Sequence, residues 1–219
     1  MHKIIAYSCS LLFLSVLACD AGKKVSKEEV DQMKKSTELK KVGEAEITSY
    51  ALKWGEELSQ EAQNALMGAL QEAISEKGIP GAVEFCNVEA LPLTKRVGDE
   101  YGVTIKRIST RNRNPENVPG ETEEPLLDAY AYNAEEGIEN VPNIQKTDNG
   151  ETLIFTKAIV IPGGLCLNCH GDPDKDISQE TYQKIQSLYP EDKATGYKVG
   201  ELRGMWSIFI PKKEVVKRM

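Results

Sequence analysis

Histidine is nearly missing from this 219-residue chain. There are two, His2 and His170, and the first lies in the leading segment. Any site needing several imidazoles is thereby excluded. No second C-x-x-C or C-x-x-H pair accompanies Cys166 and Cys169, so the four N or S ligands of a structural zinc site cannot be assembled. The net charge is −7 and there is no basic stripe, which gives no reason to expect a nucleic-acid partner. No internal repeat is visible, and helix and strand patterns do not alternate as βαβ units do. Aromatics are only 6%, but 40% hydrophobic residues suffice for one core.

What is present centres on Cys166-Leu167-Asn168-Cys169-His170. C-x-x-C-H is the attachment signature of c-type haem. Two thiols spaced this way each reach a vinyl group on one porphyrin edge, and the next residue turns its imidazole to the iron. Cys166 and Cys169 are thus expected as thioether ligands of one covalent haem c, and His170 as the proximal ligand. A thioredoxin-like dithiol is the competitor, since the strand-like run Thr152–Ile161 leads into the motif. The missing βαβ context speaks against it.

The start of the chain reads as an export signal. Lys3 supplies a short positive region, and Ile4 to Ala18 an apolar stretch too short for a comfortable membrane span. Val16-Leu17-Ala18-Cys19 is similar to a bacterial lipobox. The expectation is a signal peptide over residues 1–18 and lipidation of Cys19, with acyl chains holding the chain on the periplasmic face of a membrane. Haem c is attached outside the cytoplasm, which agrees. Residues 19–43, lysine-rich with acids interleaved, read as a tether, and Ser26-x-x-Glu29 as a capping box.

Residues 44–77 carry Leu58, Ala62, Ala65, Leu66, Ala69, Ala73 and Ile74 at helical spacing, stopped by Gly78 and Pro80. Pro80 suits the first turn of a second helix, bearing Ala82, Val83, Phe85 and Cys86 and breaking near Pro92. A short helix to Tyr101 and a strand over 103–109 follow. Next comes a long loop with Arg111-Asn112-Arg113-Asn114-Pro115, then a helix from Leu127 to Glu136. Thr147-Asp148-Asn149-Gly150 reads as a turn before the strand at 152–161. Ser178 caps a helix to Leu188, and Leu202–Ile210 forms the last strand, closed by Pro211. Helices first and strands later predict an α+β fold with an antiparallel sheet. A body over 44–212 and a tail over 213–219 complete the division.

With signal cleavage no second histidine remains for the other axial position. The residues leave Cys86, a methionine (Met33, Met67, Met205 or Met219), a lysine, water or an empty site. Cys86, flanked by Val83, Phe85 and Val88, reads equally as a ligand on a pocket wall or as a small buried residue. Arg111 and Arg113 have the fork geometry that suits haem propionates, or are exposed loop arginines.

Four pieces in order resemble the PAS-like c-type haem domain family, found in bacterial sensors and as a stand-alone cyanobacterial haem protein. They are Cys86; Arg107-Ile108-Ser109 with Arg113-Asn114-Pro115; Cys166 to Gly171; and Gly196-Tyr197-x-Val199-Gly200 with Leu202-Arg203-Gly204. The resemblance covers residues 45–212. It implies a PAS-like sheet behind N-terminal helices, His170 and Cys86 as axial ligands, and a redox or gas-sensing role with NO or CO as ligand. No output domain is recognisable, so a separate redox or signalling partner protein is expected. A low-potential electron carrier is the alternative. An enzyme is not expected, because no distal histidine is available for acid–base work.

Overall fold

The computed structural model describes residues 26–30, 43–147 and 150–219. The chain divides into two compact units, Met1–Lys41 and Val42–Met219. The signal segment, Cys19, Met33, most of the tether and the turn residues Asp148 and Asn149 lie outside the described residues. In the first unit Ser26 and Glu29 form the expected capping box. The Ser26 amide donates to Glu29 Oε2 at 2.8 Å, and the Glu29 amide to Ser26 Oγ at 3.1 Å.

The second unit is built on α1, Glu44–Tyr101, which is a helical hairpin. At Gly78 the backbone leaves the helix with φ 67° and ψ −178°, a region open in practice only to glycine. The size of the turn follows from helix arithmetic. At 1.5 Å per residue, an unbroken helix would hold Trp54 and Tyr101 about 70 Å apart. Their rings instead meet edge-on with centroids 6.5 Å apart, and Tyr101 Oη donates to Glu61 at 3.1 Å. The limbs 44–77 and 79–101 therefore run antiparallel. Pro80 opens the second limb, as its fixed φ favours.

Pro92 does not break that limb. The carbonyl it deprives of a partner belongs to Val88, which is 61% exposed and open to water, so the helix continues. It ends at Gly102, whose left-handed conformation (φ 67°, ψ 32°) lets Val103 N donate to Gly98 O.

Four strands form one antiparallel sheet in the order β1-β4-β3-β2: β1 Thr104–Ile108, β2 Asn143–Lys146, β3 Thr152–Val160 and β4 Leu202–Pro211. The short edge strand β2 escapes the sequence pattern because Ile144 is its one apolar side chain. One sheet face packs on α1 through Ile105, Leu153, Phe155, Trp206, Ile208 and Ile210. The other is covered by α2, Glu124–Glu135, through Ile108, Leu127, Tyr130 and Met205. The α+β class with an antiparallel sheet is thus the observed fold. Residues 213–219 are part of the packed body: α5, Lys212–Arg218, buries Val215 fully in the α1 core.

Helix and sheet meet closely at Gly55, where a Cβ would lie 2.3 Å from Phe155 Cγ. Gly55→Ala gains about 1 kcal/mol of helix propensity but overpacks the core. It should lower the unfolding free energy by about 1–3 kcal/mol in urea denaturation; a stabilised variant would show that α1 can lift off the sheet. At the open end of the hairpin, Glu44 bonds Lys146 at 2.7 Å and also Lys212, which hold its carboxyl at about 2 against the usual 4.5. That contribution is full above pH 4.5 and fades as pH falls toward 2. Glu44→Gln should be slightly less stable than wild type at pH 7, with the difference gone near pH 2 in acid titrations of the urea midpoint.

Candidate functional site

Cys166, Cys169 and His170 all lie on α3, Gly164–His170, one short helix leaving the end of β3. The spacing places the two thiols on adjacent corners of one turn, with the imidazole following. Gly171 allows the exit: a Cβ there would lie 2.6 Å from Asp176 Cβ and 2.7 Å from Leu167 O. The segment 192–197 then fastens the helix end. Tyr197 N donates to His170 O at 2.8 Å and Gly196 N to Gly171 O at 2.7 Å.

His170 Nδ1 lies 2.8 Å from the Ala194 carbonyl. A carbonyl only accepts, so Nδ1 carries the proton and Nε2 keeps its lone pair. Burial, then the positive charges of Arg203 and Arg113, hold the imidazole pKa well below 6.5. At neutral pH the ring is uncharged, with Nε2 ready to bind a metal.

Cys86 stands on the second limb of α1, one turn after the buried Val83. Val83 packs with Ile177, Ile185 and Tyr189 of the segment built on α4, Gln179–Leu188, and Cys169 packs against that cluster. Ser178 caps α4 as expected, its Oγ accepting from Thr181 N at 3.2 Å. Cys86 and Cys169 are near enough that a charge on Cys86 raises the Cys169 pKa. The fold thus brings Cys86 to the motif from a position 80 residues earlier in the chain. Met205 and Met219 instead pack in clusters that do not contain the motif.

Burial pushes up all three thiols, Cys169 to about 11. A redox-active C-x-x-C works the other way, by lowering a thiol pKa. Two protonated, half-buried thiols beside a neutral, oriented imidazole fit a porphyrin held by thioethers and an axial histidine.

Arg113 and Arg111 are both engaged by protein groups. Arg113 Nε and Nη2 grip Asp192 at 3.0 and 3.2 Å in a largely buried pair, and Nη2 also donates to Cys169 O at 2.6 Å and Ala194 O at 3.2 Å. Arg111 stacks on Tyr197, its Cζ 3.8 Å from the ring centre, and donates to the carbonyls of Lys193 and Thr195. These contacts brace the loop that orients His170. Arg107, Asp192, Ala194, Tyr197 and Arg203 join the site without having been marked individually in the sequence. Arg107, Tyr197 and Arg203 lay within the family-like stretches, whereas Asp192 and the Ala194 carbonyl carry no sequence signal.

Residues 23–211 match the family model described as Tll0287-like. The crystal structure of the cyanobacterial heme-protein Tll0287 aligns at 20% identity with a TM-score of 0.48, covering 74% of this chain and 94% of that one. No curated protein matches.

Removing one partner of a buried ion pair strands the other. Arg113→Ala should therefore cost about 3–5 kcal/mol in denaturant unfolding and lower the haem content of the purified protein. Asp192→Asn should act in the same direction. Unchanged stability and haem content in both would show that the brace does not hold the motif.

Proposed function

Because this chain belongs to the Tll0287-like family, we propose that it binds one haem c and senses redox state or a diatomic gas such as NO or CO. Cys166 and Cys169 would hold the macrocycle by thioethers, and His170 Nε2 and the Cys86 sulfur would hold its iron. The observation that carries this reading is the hydrogen bond from His170 Nδ1 to Ala194 O. It fixes the one tautomer that can ligate iron, beside two thiols at the attachment spacing.

When bound, the group would supply a one-electron couple and an iron able to take a small ligand. The chain's part is Cys86. Burial raises its thiol pKa, while Arg107 and Arg113 oppose the rise. Burial would favour the protonated, neutral thiol whenever the sulfur was not held by the metal. The second limb of α1 carries Cys86 beyond the Gly78 turn, so release changes the packing of that limb against Cys169 and α4. A lipid anchor at Cys19 would set this device on the periplasmic face of a membrane, where a partner protein reads it.

Ferric and ferrous spectra of the wild type and Cys86→Ala test the reading. The expected outcome is thiolate charge-transfer bands in the ferric wild type, absent in the variant and lost on reduction, with CO then binding. Identical spectra for both proteins would remove Cys86 as ligand. Bands unchanged on reduction would favour a low-potential electron carrier.

A further inference from the structure

Arg203 sits at a bulge in the sheet. β3 and β4 pair in step from Thr152↔Pro211 to Ile159↔Gly204; then Val160 faces Leu202, and Arg203 has no partner across the ladder. A bulge of this kind turns a side chain out of the alternating pattern. Met205 packs on the α2 side with Ile108, Leu127 and Tyr130, and strict alternation would place Arg203 there too. Leu202 packs there instead. The Arg203 guanidinium lies over the Tyr197 ring, 5.4 Å from its centre, and His170 meets that same ring edge-on at 6.3 Å. Gly204 makes the close approach possible: a Cβ there would lie 2.2 Å from Ile108 O.

Arg203 is short of partners. Its Nη1 donates to Arg111 O at 3.1 Å, and its Nε is buried with no hydrogen bond. A charged donor buried without a partner is costly, because it has lost its water and gained nothing in exchange. Burial lowers its pKa to about 10, so it remains a cation at neutral pH. The charged and titratable groups around it are Arg107, Arg111, Arg113, Tyr197, Asp192 and the neutral His170. Asp192, the carboxylate in that set, is already gripped by Arg113. The surroundings thus hold a surplus of positive charge and an unused donor.

We propose that Arg203 anchors a carboxylate of the bound group, a haem propionate, through its free Nε. The inference rests on the haem reading above. Nε and a neighbouring Nη offer the two-point geometry that matches a carboxylate. Arg203 thereby shares the part that the sequence suggested for Arg111 and Arg113, whose Nε and Nη2 atoms are engaged by residues 192–195 and, for Arg113, also by Cys169 O.

The test is resonance Raman spectroscopy of the ferric holoprotein, following the propionate bending bands against pH. Holding the iron ferric keeps ligand release from entering. In the wild type, one propionate should protonate below the ordinary carboxylic range near pH 4. In Arg203→Gln that transition should move up by about 1–3 pH units. Arg203→Lys, which keeps the charge without the two-point contact, should fall between. A wild-type pair of transitions at or above the ordinary range overturns the proposal without any variant. Matching transitions in wild type and Arg203→Gln, with covalent haem present in both, overturn it while the haem reading stands. Wild type without covalent haem by the pyridine haemochrome assay removes both.

Discussion

The site hangs on one hydrogen bond, from His170 Nδ1 to the Ala194 carbonyl. It decides which nitrogen faces outward, and a neutral ring with the other tautomer would have no lone pair to offer there. The bond exists only because residues 192–197 are held against α3. Asp192 is gripped by Arg113, Thr195 is bonded by Arg111, and Gly196 and Tyr197 pair with the motif backbone. The arginine-rich loop after β1, distant in sequence from the cysteines, therefore acts on His170 Nε2 through two intermediaries.

The arginines divide the labour by how well they are satisfied. Arg113 has a carboxylate and two carbonyls, and Arg111 has carbonyls and an aromatic face. Both are structural joints. Arg203 keeps a buried donor without a partner. Arg107 lies over Trp206 at 5.9 Å and exerts its field on Cys86. Counting unsatisfied donors separates arginines that are engaged by the protein from the one that keeps an unmet donor, a distinction that residue type does not make.

The sequence was most legible where local chemistry decides structure. The Gly78–Pro80 stop, the Ser26 and Ser178 caps, the long strands and the α+β class all follow from patterns a few residues long. The attachment motif was legible for the same reason. Pro92 misled because helix breaking depends on whether the orphaned carbonyl sees water, a tertiary property. β2 was hidden because an edge strand need bury little. The roles of Arg111, Arg113 and Arg203 were beyond reach because they turn on a bulge and on a salt bridge to Asp192, 79 residues from Arg113.

The turn at Gly78 makes one long helix serve two masters. The part nearest Glu44 and Tyr101 is seated on the sheet, and the part carrying Cys86 forms a wall of the site. The buried residues along its limbs include the small side chains Ala62, Ala73, Ala82 and Ala90. Small side chains permit close approach of the two limbs, and that closeness determines how far the second limb leans toward α3. The separation of sulfur from imidazole is thus written partly in alanines. A methyl group added or lost between the limbs would move Cys86 relative to His170 without changing either residue.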